Sequence, residues 1–329
     1  MIDRRKLPLD QLRPLSSMAD EDVPTYALFE PVGWTEQGEV VLQERRLIER
    51  DGTYFSDTLY QVINTVAVLP DTGAVKPLSD WSPPGPAVVH GFMDSVIKGP
   101  LWVIHGYNNE GITVLDWGSI PGWSSTQQKL AAKWAAKKPI TYPQDWLAAP
   151  DGETVILQIR KEKIYILKPG YGQPIILPQN KEGVSAFVTA VTAQLSPDGQ
   201  RIVYGVRFEN PDSNDSYGRE TDTYEIQTSS LNGNSITSIK LDYEYSYPRE
   251  WAWSPNGEYI AFIAQPENHS PLHLYVAKSD GSSIIDLVSD DFWAAGPLYW
   301  SKDGGKLIYI GGNPDKQDSV GYWIISFLK

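Results

Sequence analysis

The chain of 329 residues has no cysteine, which excludes disulfides, thiolate metal sites and a cysteine nucleophile. It has no run of about 18 apolar residues, so no membrane-spanning helix is expected. Basic residues are in the minority: 28 Lys and Arg stand against 41 Asp and Glu, a net charge of −13. A pI near 4.8 argues against binding nucleic acid through its phosphates, which would need an extended basic face for counterion release. The opening stretch, residues 1–17, lacks the apolar core and small-residue cleavage site of a signal peptide. Thiol-free chains suit exported bacterial proteins, so the expected location is extracytoplasmic, in the periplasm or at the cell surface. If Met1 is the natural start, the expectation becomes cytoplasmic.

What is present points to a large folded core. Hydrophobic residues make up 41% of the chain and charged ones only 21%, which rules out wholesale disorder. A five-residue turn recurs six times: Trp34–Gly38, Trp81–Gly85, Ala148–Gly152, Leu195–Gly199, Trp253–Gly257 and Trp300–Gly304. The start-to-start spacings are 47, 67, 47, 58 and 47 residues, as for one supersecondary unit that tolerates insertions. In this turn Pro pre-sets φ, Asp or Asn tolerates the next position, and Gly supplies the positive φ that closes the reversal. β-branched and aromatic runs follow each turn, for example Tyr259–Ile263, Leu272–Val276 and Ile284–Val288. Four short strands in about 45 residues make one propeller blade.

Six repeats predict an all-β, six-bladed β-propeller of four-stranded antiparallel blades in one domain spanning 1–329. Blades are expected to begin near 25, 80, 140, 184, 244 and 291. The sixth repeat ends after two long strands. Leu12–Ser16 matches the outer strand Val75–Ser79 of the first repeat, so residues 5–17 are expected to complete the last blade and close the ring. Two insertions interrupt the pattern. Residues 124–139 read as a helix, with Ser125 and Gln128 as a capping box and Pro139 as its stop. Residues 209–222 read as a long polar loop.

The repeat Trp/Leu-Ser-Pro-Asp/Asn-Gly, followed by a β-run, resembles that of TolB-type propellers, most clearly from Leu147 to Lys329. The resemblance implies a WD40-like, protein-binding propeller of the cell envelope. TolB carries an α/β domain before its propeller, for which this chain has no room. Similar repeats occur in the propeller of prolyl-oligopeptidase-type peptidases, but no Gly-x-Ser-x-Gly elbow is present here.

In such a ring the strand before each turn is innermost. Two matching segments precede turns: Tyr142-Pro-Gln-Asp145-Trp146 and Tyr247-Pro-Arg249-Glu250-Trp251. Asp291-Phe-Trp293 and Glu30 precede two others. Tyr142, Asp145, Trp146, Tyr247, Arg249, Glu250, Trp251, Asp291 and Trp293 are therefore the candidate binding residues of an axial mouth for a protein or glycan partner. The competing reading is blade packing, with each Trp wedged between sheets. A second functional reading is a hydrolase or lyase acting on a polysaccharide or peptide in the channel, with Asp145, Glu250 and Asp291 as its acids.

The histidines, His90, His105, His269 and His273, give no metal-ligand pattern. Asp212, Asn214, Asp215, Glu220 and Asp222 invite Ca²⁺, but Gly218 falls one place too late for an EF-hand loop. No cofactor is expected. Lys129, Lys133 and Lys137 form a basic stripe on the inserted helix, while Leu130 and Trp134 are expected to pin it. The protein is expected to be a monomer and, on balance, a binding protein rather than an enzyme.

Overall fold

The computed structural model describes residues 2–12, 29–47, 60–79, 81–94, 99–104, 112–113, 117–137, 142–178, 184–189, 191–209, 223–240, 248–266, 270–288, 292–313, 315–316 and 319–327. These residues form an all-β propeller with one α-helix. Strand β1 (Ile2–Lys6) precedes a first blade of β2 (Phe29–Trp34), β3 (Val40–Leu47), β4 (Tyr60–Val68) and β5 (Val75–Pro77). The second sheet contains β6 (Val89–Asp94), β7 (Gly99–Ile104), β8 (Ile112–Thr113), β9 (Gln144–Ala148), β10 (Val155–Ile159), β11 (Ile164–Leu167) and β12 (Ile175–Leu177). The third is built from β13 (Ala186–Val188), β14 (Gln194–Leu195), β15 (Arg201–Phe208), β16 (Thr223–Ser230) and β17 (Thr237–Ile239). The fourth comprises β18 (Pro248–Trp253), β19 (Tyr259–Ala264), β20 (His273–Lys278) and β21 (Ile284–Asp286). The last has β22 (Trp293–Trp300), β23 (Lys306–Gly312) and β24 (Gly321–Phe327), with β1 as its fourth strand.

The blade count is five, which corrects the expected six. The second and third repeats share one seven-stranded sheet in the order β12-β11-β10-β9-β6-β7-β8. The cause is local chemistry. Trp81-Ser82-Pro83-Pro84-Gly85-Pro86 carries three prolines, which have no N–H to give to a ladder, and among the described residues no strand forms between β5 and β6. Without an inner strand of its own, β6 pairs antiparallel with β9, Val89 opposite Trp146 and His90 opposite Asp145.

The other turns show why the motif works. Ser196, Ser254 and Ser301 are buried, and each accepts a backbone N–H five residues on, at 2.9, 2.9 and 2.8 Å. Each hydroxyl donates to the Asp or Asn two positions later. Gly199, Gly257 and Gly304 close these turns at φ of 67°, 68° and 69°. Proline at position 84 replaces that Asp or Asn, so the second copy cannot build the network.

The repeat tryptophans clamp neighbouring blades. Trp34 Nε1 donates to Tyr299 O (3.0 Å), Trp300 Nε1 to Ala252 O (3.1 Å) and Trp253 Nε1 to Gln194 O (3.3 Å). Between the second and third, third and fourth, fourth and fifth, and fifth and first sheets lie contiguous apolar cores. Strand β10 faces two of the cores, Val155 and Leu157 on one side and Ile156 on the other, which explains its unbroken apolar run.

Closure uses a strand earlier than expected from residues 5–17. Ile2–Lys6 pairs with Phe327–Trp323, and the matching segment 13–16 lies outside the described residues. Leu7 and Leu12 then enter the core between the last and first blades, and Tyr322 OH donates to Phe29 O across the same junction. The helix, α1 (Ser125–Ala135), starts one residue earlier than expected: Ser124 and Gln127, not Ser125 and Gln128, form the capping box. Its Gln127 side chain donates to Ala149 O and Thr154 O at 2.7 and 3.0 Å. Leu130 and Trp134 pack on the adjoining core, and Lys129, Lys133 and Lys137 are exposed. Residues 210–222, with the acidic groups considered for Ca²⁺, lie outside the described residues. Among the described residues no helix is long and apolar enough to cross a membrane.

Candidate functional site

Strands β2 and β18 both touch β22, so the first strands of the first, fourth and fifth blades adjoin one another and line the inside of the ring. Each is irregular where it does so. Register shifts fall between Pro31 and Gly33, between Pro248 and Glu250, and between Ala295 and Tyr299. Bulges re-aim side chains and are common beside functional sites. Here they accompany a cavity of about 1660 Å³.

Polar groups from several strands converge on this cavity: Glu30, Arg45, His90, Glu250 and Tyr299. Trp34, Trp81 and Trp300 supply apolar wall, and the proline-rich segment 81–85 is part of the lining. Thus the sequence that breaks the second blade becomes cavity surface. Gly296 opposes Glu250 so closely that an added Cβ would lie 2.6 Å from Glu250 Cγ, so a side chain at 296 would make the Glu250 side chain shift.

The charges are distributed unevenly. Arg45 is ion-paired with Glu30, and Lys302 with Glu36 at another part of the lining. Glu250 has no hydrogen bond and no oppositely charged partner among the described residues. Burial and the neighbouring Glu30 carboxylate push the Glu250 carboxyl up to about 7. Burial also raises Glu30, against the opposing pull of Arg45. The Tyr299 phenol is raised by its burial and by both carboxylates, with Arg45 acting the other way.

A second device sits at the β6–β9 seam. His90 Nδ1 is 2.6 Å from Asp145 Oδ1. Arg160 donates to both oxygens of Asp145 at 2.8 and 3.0 Å, and Thr192 Oγ1 adds a contact at 3.2 Å. Burial opposes ionisation of Asp145, but hydrogen bonds and charge from His90 and Arg160 prevail and hold its carboxyl below the usual range. A buried carboxylate thereby fixes the ring of a cavity-lining histidine.

The candidates from sequence are distributed as follows. Glu30 and Glu250 meet in the cavity, and Asp145 acts there only through His90. Trp146 is fully buried at 0% exposure in a cluster with Trp102 and Trp117, at centroid distances of 6.1 and 5.2 Å. Trp251 is also buried and donates Nε1 to Thr192 O at 3.0 Å. Neither indole lines the cavity; both pack between structural elements. Tyr142 and Arg249 are exposed and Trp293 is half-buried, all three away from the lining, while Tyr247 and Asp291 lie outside the described residues. His273 is buried with Nδ1 2.7 Å from Asp286, and His105 and His269 lie outside the described residues. Arg45, His90, Arg160 and Tyr299 were not singled out from sequence as a site. Only strand pairing over dozens of residues brings them together.

No protein-family profile and no curated protein matches the chain. Solved structures similar to it include a putative TolB from Agrobacterium tumefaciens, 14% identical, with 88% of this chain and 72% of that one covered and a TM-score of 0.38. An oligogalacturonate lyase from Vibrio parahaemolyticus is 9% identical over 88% of this chain and 67% of the other, TM-score 0.39. A puromycin hydrolase is 12% identical over 89% of this chain, TM-score 0.46, and this chain spans about half of it (51%).

Proposed function

We propose that this protein is a binding propeller of the TolB type that admits an extended ligand, a peptide segment or a glycan, to its inner cavity. The observation that carries the reading is the cavity itself. At about 1660 Å³ it exceeds the ~300–1,000 Å³ of ordinary small-molecule pockets, and it combines indole walls with a few convergent polar groups. The thiol-free sequence supports an extracytoplasmic setting and the TolB-type repeat a partner in the cell envelope. Calorimetric titration of blocked peptides and neutral oligosaccharides onto the wild type and a Trp81→Ala variant tests the reading. Binding that weakens about tenfold or more in Trp81→Ala supports it. Equal binding by both would move the site to the exposed face of α1.

One observation favours a second reading, a hydrolase or lyase. Glu250, held near 7 beside Glu30, has the proton affinity of a general acid. Turnover of a bound peptide or glycan, abolished in Glu250→Gln, would establish that reading in place of the first.

A further inference from the structure

Resting on the cavity reading above, we propose that Glu250 receives the ammonium or guanidinium group of an organic ligand. The charged side chains lining the cavity are Glu30, Glu36, Arg45, His90, Glu250 and Lys302. All but one are matched: Glu30 with Arg45, Glu36 with Lys302, and His90 with Asp145, itself neutralised by Arg160. Glu250 is the exception, with no hydrogen bond and no cation against it among the described residues. The backbone nevertheless provides for it, through the bulge between Pro248 and Glu250 and through Gly296, whose missing side chain gives Glu250 its room.

An uncompensated carboxylate in a half-buried position is costly unless a cation joins it. A single such carboxylate matches one organic cation better than a divalent metal, which takes several oxygen ligands. No cluster of three metal-ligating side chains occurs among the described residues. Trp34, Trp81 and Trp300 in the same lining give the ligand's carbon body an apolar wall. Around Glu250 the facing groups are Glu30 with Arg45 from the first blade and Tyr299 from β22. Entry of a cation relieves the repulsion from Glu30 and expels the proton that Glu250 otherwise keeps.

The test uses the whole protein and two cationic probes, acetyl-Phe-Arg-amide as a protein-like source and spermidine as a free polyamine. Maltohexaose serves as the neutral probe. Isothermal titration at pH 6 and pH 8 should show one-to-one binding of a cationic probe. Affinity should rise about tenfold between these pH values, because only ionised Glu250 is competent and it titrates near 7. Glu250→Gln should weaken binding at pH 8 at least tenfold. The pH profile of the wild type stands independently of that variant's folding. Binding of the dipeptide alone assigns a protein segment, and of spermidine alone a free polyamine. Affinity that is flat with pH, or undiminished in a folded Glu250→Gln protein, overturns the inference. If maltohexaose binds and neither cation does, the inference falls and the cavity reading stands. If no probe binds, both fall.

Discussion

His90 and Asp145 are direct cross-strand partners in β6 and β9, with Nδ1 and Oδ1 2.6 Å apart. The contact exists because the second blade has no inner strand: a separate blade would have kept β6 away from β9. The histidine thus reaches the cavity lining with its ring already oriented. Its carboxylate is in turn gripped by Arg160.

Removing the Asp145 charge should therefore be costly. Asp145→Asn leaves Arg160 without its carboxylate. The expected loss is about 3 kcal/mol, the low end of the range for breaking a buried pair, because the Arg160 side chain remains 29% exposed. The Asp145 pKa is depressed on folding, so this stabilisation is present above the unfolded value near 3.9 and is lost as pH falls through the folded one. Urea unfolding of both proteins from pH 8 to pH 3 should show the difference shrinking below about pH 4. A difference that stays constant to pH 3 would assign the loss to packing.

Glu250 should behave in the opposite sense. Its folded pKa, about 7, lies above the ordinary glutamate value of 4.5, so the folded state holds a proton that the unfolded chain releases. Wild-type stability should fall as pH rises from about 4.5 to 7, and remain lowered above that. Glu250→Gln removes this penalty. At pH 8, relative to pH 4, the variant should gain up to about 3 kcal/mol over the wild type, an upper bound that solvent access will reduce. Denaturation at those two pH values decides it, and an unchanged difference would place the carboxyl in water.

The propeller was legible in the sequence because its turns are chemically repetitive. Ser254-Pro-Asn256-Gly257 and Ser301-Lys-Asp303-Gly304 make the same hydrogen bonds in the structure, so a local pattern reports a local fold. The blade count was not legible, because Trp81–Gly85 satisfies the pattern's Trp, Ser and Gly while Pro84 removes the group that makes it a hairpin. The site was half legible. Glu30 and Glu250 fall just before turns, where inner strands must lie. Trp146 and Trp251 stand next to such positions, but strand alternation sends successive side chains to opposite faces, and theirs go into the core. His90, Arg45 and Tyr299 join the cavity through pairing and blade order, which no local spacing encodes.

The repeat tryptophans make a separate prediction. Trp300 Nε1 donates to Ala252 O at 3.1 Å across a blade junction while its ring stacks on Phe327. Trp300→Phe keeps an aromatic ring in place and deletes the donor. The cost should be about 1–3 kcal/mol, the range for leaving a buried polar group unpaired. Thermal unfolding should show it as a lower Tm, and an unchanged Tm would mean that water replaces the indole.

Closure by the N-terminal segment is testable with two substitutions on that segment. Leu7 is buried at 2% exposure in the core between the last and first blades, and its N–H donates to Tyr322 O at 2.7 Å. Ile2, at the start of β1, is 46% exposed although it sits opposite Phe327 in the ladder. If the clasp works by filling the junction, Leu7→Ala should cost about 2–5 kcal/mol through lost burial and the cavity left behind. Ile2→Ala should stay within about 0.5 kcal/mol, as surface changes do. If strand pairing alone held the ring, both variants would be nearly neutral, since alanine keeps every backbone bond of β1. A loosened clasp also bares the edge of β24, a strand able to pair with another chain. Leu7→Ala should therefore self-associate under mild denaturant where Ile2→Ala stays monomeric, and light scattering at sub-denaturing urea distinguishes them.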